Sequence, residues 1–225
     1  IRDRINGLAF SSTPTVSQVP GCAGGTFRVS FTLNANCGYL PGNVFRVDLS
    51  DAGGSFASAT SLGTGNPGIN TLTIPMSIPA GTGYRVRVVS TAPVKISPVS
   101  AVFTINQPSF AGVPTVSLDN KCPGEAVRVS FAINCTFFGG NVFKVELSNA
   151  AGVFPGTVLP GAVTPGALNN VLIPAGTPAG TGYKLRIVSS NPVLTSLASA
   201  TIRVKACGTN REVAPDANGL RVVVS

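Results

Sequence analysis

Histidine is absent from this chain, which removes the commonest metal ligand and the side chain most often used as a general base near neutral pH. A Ser-His-Asp or Cys-His site cannot be assembled within it, and neither can a mixed Cys/His zinc site. Tryptophan is absent too, and aromatic residues make up only 7% of the chain, so a stacking platform for neutral sugars has little to be built from. Acids are few. The eight of them, Asp3, Asp48, Asp51, Asp119, Glu125, Glu146, Glu212 and Asp216, lie scattered, with neither the spacing of a calcium loop nor a close carboxylate pair. No apolar run reaches the about 18 residues that mark a membrane-spanning helix. No cofactor is implied, and the chain reads as non-enzymatic.

Charge of the other sign is in excess: 16 basic residues give a net charge of +8. They occur singly along the chain, without a basic run and without interleaved aromatics, so a nucleic-acid partner is not expected. Attraction to an acidic polysaccharide or an anionic surface needs only the net field and fits better. Charged residues total 11% against 44% hydrophobic, a balance that favours packed domains over a disordered tail despite 26 Gly and 18 Pro.

What the chain does have is a repeat. Phe10, Pro14-Thr15-Val16-Ser17, Cys22 and Arg28-Val29-Ser30-Phe31 return about a hundred residues later as Phe110, Pro114-Thr115-Val116-Ser117, Cys122 and Arg128-Val129-Ser130-Phe131. Asn43-Val44-Phe45-Arg46-Val47-Asp48-Leu49-Ser50 returns as Asn141-Val142-Phe143-Lys144-Val145-Glu146-Leu147-Ser148. Pro79-Ala80-Gly81-Thr82-Gly83-Tyr84 returns as Pro178-Ala179-Gly180-Thr181-Gly182-Tyr183. A duplicated module at this spacing sets the architecture.

Within each copy, short runs rich in Val, Ile, Thr and Phe alternate with Gly- and Pro-marked turns. That pattern predicts an all-β fold of two tandem immunoglobulin-like β-sandwiches, each of about seven strands. In the first copy the strands are expected over 15–19, 26–33, 44–49, a weak segment at 56–62, 70–75, 84–90 and 101–105. The organisation that follows is a lead-in over 1–13, a repeat over 14–106, a short proline-bracketed linker over 107–113, a second repeat over 114–207, and a polar linker with a strand-like tail over 208–225. Phe10 and Phe110, just ahead of each first strand, are expected to pack against a preceding module.

Five cysteines without Cys-x-x-Cys spacing point to disulfides and hence to an oxidising, extracellular location. Cys22 and Cys37 flank one strand whose length, about 3.3 Å per residue, holds them too far apart to bond. In a seven-strand sandwich Cys122 and Cys207 share a pole and can pair. Cys22 can reach Cys135 at the adjoining pole of the second copy, which leaves Cys37 free for a preceding module or another chain. Local pairing in a bent loop and free thiols are the alternatives.

Candidate contact residues are basic or aromatic. Arg28, Arg46, Arg85 and Arg87, repeated as Arg128, Lys144, Lys184 and Arg186, could line up as a basic stripe for an acidic glycan. The plainer expectation is exposed cross-strand ion pairs from Asp48 and Glu146 to those cations, worth about 0–1 kcal/mol each. Tyr39 and its counterpart Phe137, which Phe138 follows, lie in a loop after the second strand, and loop-borne aromatics offer a contact surface or packing against the adjacent unit. Tyr84 and Tyr183 are placed as corner tyrosines whose hydroxyls bond nearby backbone.

Three segments resemble a known family: Phe-x-Val-x-Leu-Ser-[Asp/Asn]-Ala-x-Gly, Ile173 to Pro192, and Leu220-Arg221-Val222-Val223-Val224-Ser225. The first two are similar to the immunoglobulin-like repeats of type IX secreted surface proteins of Bacteroidota, and the last to the opening of their C-terminal sorting domain, without its usual Pro-Asn-Pro continuation. The resemblance implies a secreted or cell-surface location and a repeat, adhesive or accessory role. The expected function is a non-catalytic structural or adhesive module, a rigid spacer or fibre-forming subunit, whose partners are neighbouring repeats, copies of itself, an acidic polysaccharide or another surface protein. The alternative is an accessory or carbohydrate-binding domain pair of a larger secreted hydrolase.

Overall fold

The computed structural model describes residues 10–34, 39–117, 120–207, 211–212 and 223–224. Cys37, Asp119 and most of the strand-like tail lie outside the described residues. The fold is all-β, and every regular element among the described residues is a strand. The chain divides into two compact units: unit 1 comprises Ile1–Ser109 with Cys135–Phe138, and unit 2 comprises Phe110–Asn134 with Gly139–Ser225.

Unit 1 carries β1 (Thr15–Ser17), β2 (Gly21–Cys22), β3 (Thr26–Phe31), β4 (Phe45–Leu49), β5 (Thr60–Gly65), β6 (Gly68–Thr73), β7 (Gly81–Tyr84), β8 (Val86–Thr91), β9 (Val94–Ile96) and β10 (Phe103–Asn106). One sheet is ordered β1-β3-β6, a second β5-β4-β8-β9, and a ribbon β2-β10-β7. The period of two explains the strands. Phe27, Val29 and Phe31 on β3 point inward and are buried while Arg28 between them is exposed; Phe45, Val47 and Leu49 do the same on β4. These side chains meet Val86, Val88, Tyr84, Phe103 and Ile105 in one core. Burying each large apolar side chain contributes about 1.5–3 kcal/mol before conformational entropy is set against it.

Unit 2 repeats the plan with β11 (Phe110–Val116), β12 (Ala126–Ile133), β13 (Phe143–Leu147), β14 (Thr157–Val158), β15 (Asn169–Leu172), β16 (Gly180–Tyr183), β17 (Leu185–Ser189) and β18 (Ile202–Val204). Its sheets are ordered β11-β12-β15, β14-β13-β17 and β16-β18.

The structure departs from the sequence reading in four places. The run expected over 84–90 breaks at Arg85 because it changes partner: β7 pairs with β10, whereas β8 pairs with β4. The weak segment at 56–62 yields its strand later, as β5, with Phe56 left in the preceding turn. Residues 110–113, read as linker, are the first half of β11. Phe10 packs edge-on against Phe31 and Phe45, with centroids 6.0 and 6.2 Å away, and Phe110 lies against Phe131 and Phe143. Each is therefore a wall of its own sandwich, because an extended lead-in beside the second strand of the copy brings the ring over the core's open end.

Beside β8 runs a segment the sequence did not flag. Ser97 and Ser100 donate their amides to Val88 O and Val86 O, and their hydroxyls accept the amides of Val88 and Val86 at 2.8 and 2.9 Å. Ser196 and Ser199 do the same for Ile187 and Leu185 on β17.

Candidate interaction surfaces

Register puts Asp48 on β4 opposite Arg87 on β8. Arg46, two residues before Asp48, shares that face and grips the carboxylate with both Nε and Nη2, at 2.6 and 3.0 Å. Arg87 approaches Asp48 Oδ2 at 3.4 Å and lays its guanidinium over the Phe56 ring, 4.5 Å from the centroid. The hydrogen bonds that Arg46 donates to Asp48, and then the charge of that carboxylate, raise the Arg46 pKa above its ordinary value. The second copy keeps a simpler version, with Arg186 2.6 Å from Glu146 and 4.3 Å over Phe154.

These pairs differ from the exposed ones expected. The Asp48 side chain is only 2% exposed, against 12% for Glu146. Two arginines converge on the carboxylate, one of them laid over Phe56, which no strand pattern announces. Asp48→Ala should therefore destabilise the protein by about 2–3 kcal/mol, below the 3–5 kcal/mol of a fully buried pair because Arg46 can turn to solvent. Glu146→Ala, with one partner and more solvent, should lose only about 1 kcal/mol. Urea unfolding of the two variants measures the contrast.

The basic stripe does not form as one surface. Arg28 stands on the β1-β3-β6 sheet, Arg46 and Arg87 on the other sheet and already engaged with Asp48, and Arg85 donates to Ser100 O at 2.9 Å. In unit 2, Arg128 and Lys121 line a polar recess of about 540 Å³ with Ser117 and Asn170.

The loop aromatics are likewise not free platforms. Tyr39 is half-buried, its ring edge-on to Phe45 at 4.8 Å, and Phe137 is 7% exposed within unit 1. Apolar rings beside an open sandwich end pack inward. The corner tyrosines both donate to backbone, Tyr84 to Pro79 O and Tyr183 to Pro178 O, each at 2.8 Å. Burial, and then the charge of Asp51, raise the Tyr84 pKa above its ordinary value.

At the end of unit 1 where β3 begins, Cys22 is disulfide-bonded to Cys135. Gly24 follows in a left-handed conformation, φ +78°, and a Cβ there would come within 2.8 Å of the Phe138 ring and 3.4 Å of Met76. At the matching end of unit 2, Cys122 is bonded to Cys207. Gly124 keeps the left-handed conformation, φ +86°, but among the described residues nothing lies within 4 Å of its Cβ position. Beside that end is an apolar cavity of about 430 Å³ under Leu147, Pro155, Pro174, Gly176, Thr177 and Tyr183.

Neither Phe56 over Arg87 nor the serines along β8 was found from sequence. The recurrence of Phe56 as Phe154, and of Ser97 and Ser100 as Ser196 and Ser199, was the available signal. Among the described residues no group of three or more His, Cys, Asp or Glu is gathered to hold a metal.

No family model matches this chain, and no curated protein does. Solved structures similar to it include a biofilm-associated protein described as a BSP domain, at 19% identity over 86% of this chain and 29% of that one, TM-score 0.29. Three N-terminal domains of the highly immunogenic outer capsid protein of bacteriophage RB49 match at 14% identity over 87% and 59%, TM-score 0.44. The FN1-FN3 domains of chicken CNTN1 match at 18% identity over 85% and 67%, TM-score 0.30. The chain thus spans less than a third of the first of these and under two thirds of the second.

Proposed function

We propose that the chain is a non-catalytic structural module of a secreted or cell-surface protein, a repeat spacer built to hold its length under tension, of the kind its resemblance to type IX secreted surface repeats implies. The supporting observation is the interleaving of its two disulfides. Cys22 is bonded to Cys135, 113 residues on, and Cys122 to Cys207, 85 residues on, so the second bond starts inside the first loop. A pull along the chain enters at Cys22, crosses to Cys135, runs back to Cys122 and crosses again to Cys207. Between Cys22 and Cys207 only the stretch from Cys122 to Cys135, with β12 in it, can be drawn out; everything else between those two cysteines is bypassed.

The length released on unfolding distinguishes the bonded from the reduced chain. Fully extended, the Cys122–Cys135 stretch spans roughly 45 Å, whereas the unbonded chain from Cys22 to Cys207 spans roughly 600 Å. Single-molecule stretching between attachment points placed beside Cys22 and Cys207 should show a small extension when oxidised and a more than tenfold larger one in reductant. Equal extensions in both conditions would refute the spacer reading. The two bonds also favour an oxidising, extracellular setting.

A further inference from the structure

We propose that the open end of unit 2 receives the Leu40 loop of a second copy of this chain, so that copies join head to tail. This rests on the reading of the chain as a surface repeat module. The repeat supplies both halves of the contact. In unit 1, the Phe138 ring of the Cys135–Phe138 segment covers Gly24, whose Cβ position also lies 3.4 Å from Met76. The counterpart of Gly24 is Gly124, which keeps the left-handed backbone and, among the described residues, has nothing within 4 Å of its Cβ position. The counterpart of Phe138 is Leu40, which is 52% exposed. Each chain therefore carries one filled pairing and, at its two remaining matching places, an uncovered socket and an exposed plug.

The socket is also shaped by substitution. Unit 1 has Met76-Ser77-Ile78 between Pro75 and Pro79, with Ile78 buried into the core cluster. Unit 2 has Ala175-Gly176-Thr177 there, and the smaller side chains leave the cavity open beneath Pro174 and Tyr183. The missing volume is aliphatic, which suits a leucine side chain. A contact between two different patches is heterologous and does not close on itself, so it propagates along a line. Each copy carries +8, so screening by salt should strengthen the association.

Sedimentation of the Cys37→Ser chain, which removes thiol coupling, tests this. Its average mass should rise with concentration past that of a dimer. Leu40→Asp and Ala175→Asp, the latter at the counterpart of Met76, both at exposed positions, should each weaken association by about tenfold or more while leaving the melting temperature unchanged. An equimolar mixture of the two variants should stop at dimers, since each retains one working surface. A chain that stays monomeric into the millimolar range, variants that assemble like their parent, or a mixture that grows past dimers would each overturn the proposal. Assembly only after truncation behind Cys207 would give the socket to the chain's own terminal segment and would also overturn it. Failure here with the oxidised chain still short under force would leave the spacer reading standing.

Discussion

Replacing Cys22 and Cys135 together by serine should lower the free energy of unfolding by about 2–5 kcal/mol, the range for removing a native disulfide that closes a long loop. The bond spans 113 residues, and in the chain-entropy account a loop of that size constrains the unfolded state by close to the upper figure. Cys135 is 4% exposed, so the serine hydroxyl also enters an apolar setting without an assured partner. The matching pair Cys122→Ser with Cys207→Ser closes a loop of 85 residues, and loop entropy alone separates the two by only a few tenths of a kcal/mol. A larger gap in urea unfolding under non-reducing conditions would report packing around Cys135. Equal stability of the double variant and the parent would show that the bond constrains nothing.

The second large effect belongs to Gly83→Ala. A Cβ at Gly83 would run into the carbonyl oxygen of Ala52, which is backbone and cannot swing aside, and Gly182 stands in the same relation to Ala150. Gly83 lies in β7, which pairs with β10, just before the run crosses at Arg85 to pair with β4 as β8. Opening that approach would displace Tyr84, whose hydroxyl bond to Pro79 O closes the corner. A loss of about 3 kcal/mol or more is expected for either glycine. Gly139→Ala, with nothing within 4 Å of the added carbon, should stay within about 0.5 kcal/mol and serves as the control. Thermal melts of the three variants decide it.

Much of the fold was legible because strands with one wet face write their orientation into alternate residues. Phe27, Val29 and Phe31 against Arg28 is such a case, and the duplication let each copy check the other. What stayed hidden depends on what a residue meets across space. Asp48 reads as a solvated strand acid, yet Arg46 and Arg87 both engage it, and Phe56, a loop residue with no periodicity of its own, lies against Arg87. Phe10 reads as a lead-in, and only the open end of the core between β3 and β4 makes it a wall. The contact candidates are scattered for a related reason. A stripe of arginines in sequence says nothing about which sheet each one lands on, and Arg28 lands on a different sheet from Arg46 and Arg87. Sequence order likewise does not say that Tyr39 lies edge-on to Phe45 or that Phe137 is buried.

The serines beside β8 and β17 have a consequence for how crowded copies behave. Val86, Val88, Leu185 and Ile187 have their amides and carbonyls already spoken for along those borders, so a passing strand finds no template there on which to zip. Lys95, on the three-residue β9 that completes the β8 border, adds a charge to the same defence. Filament growth that avoids sideways, amyloid-like stacking requires borders of this kind, because a subunit able to lengthen without thickening must be inert along its flanks.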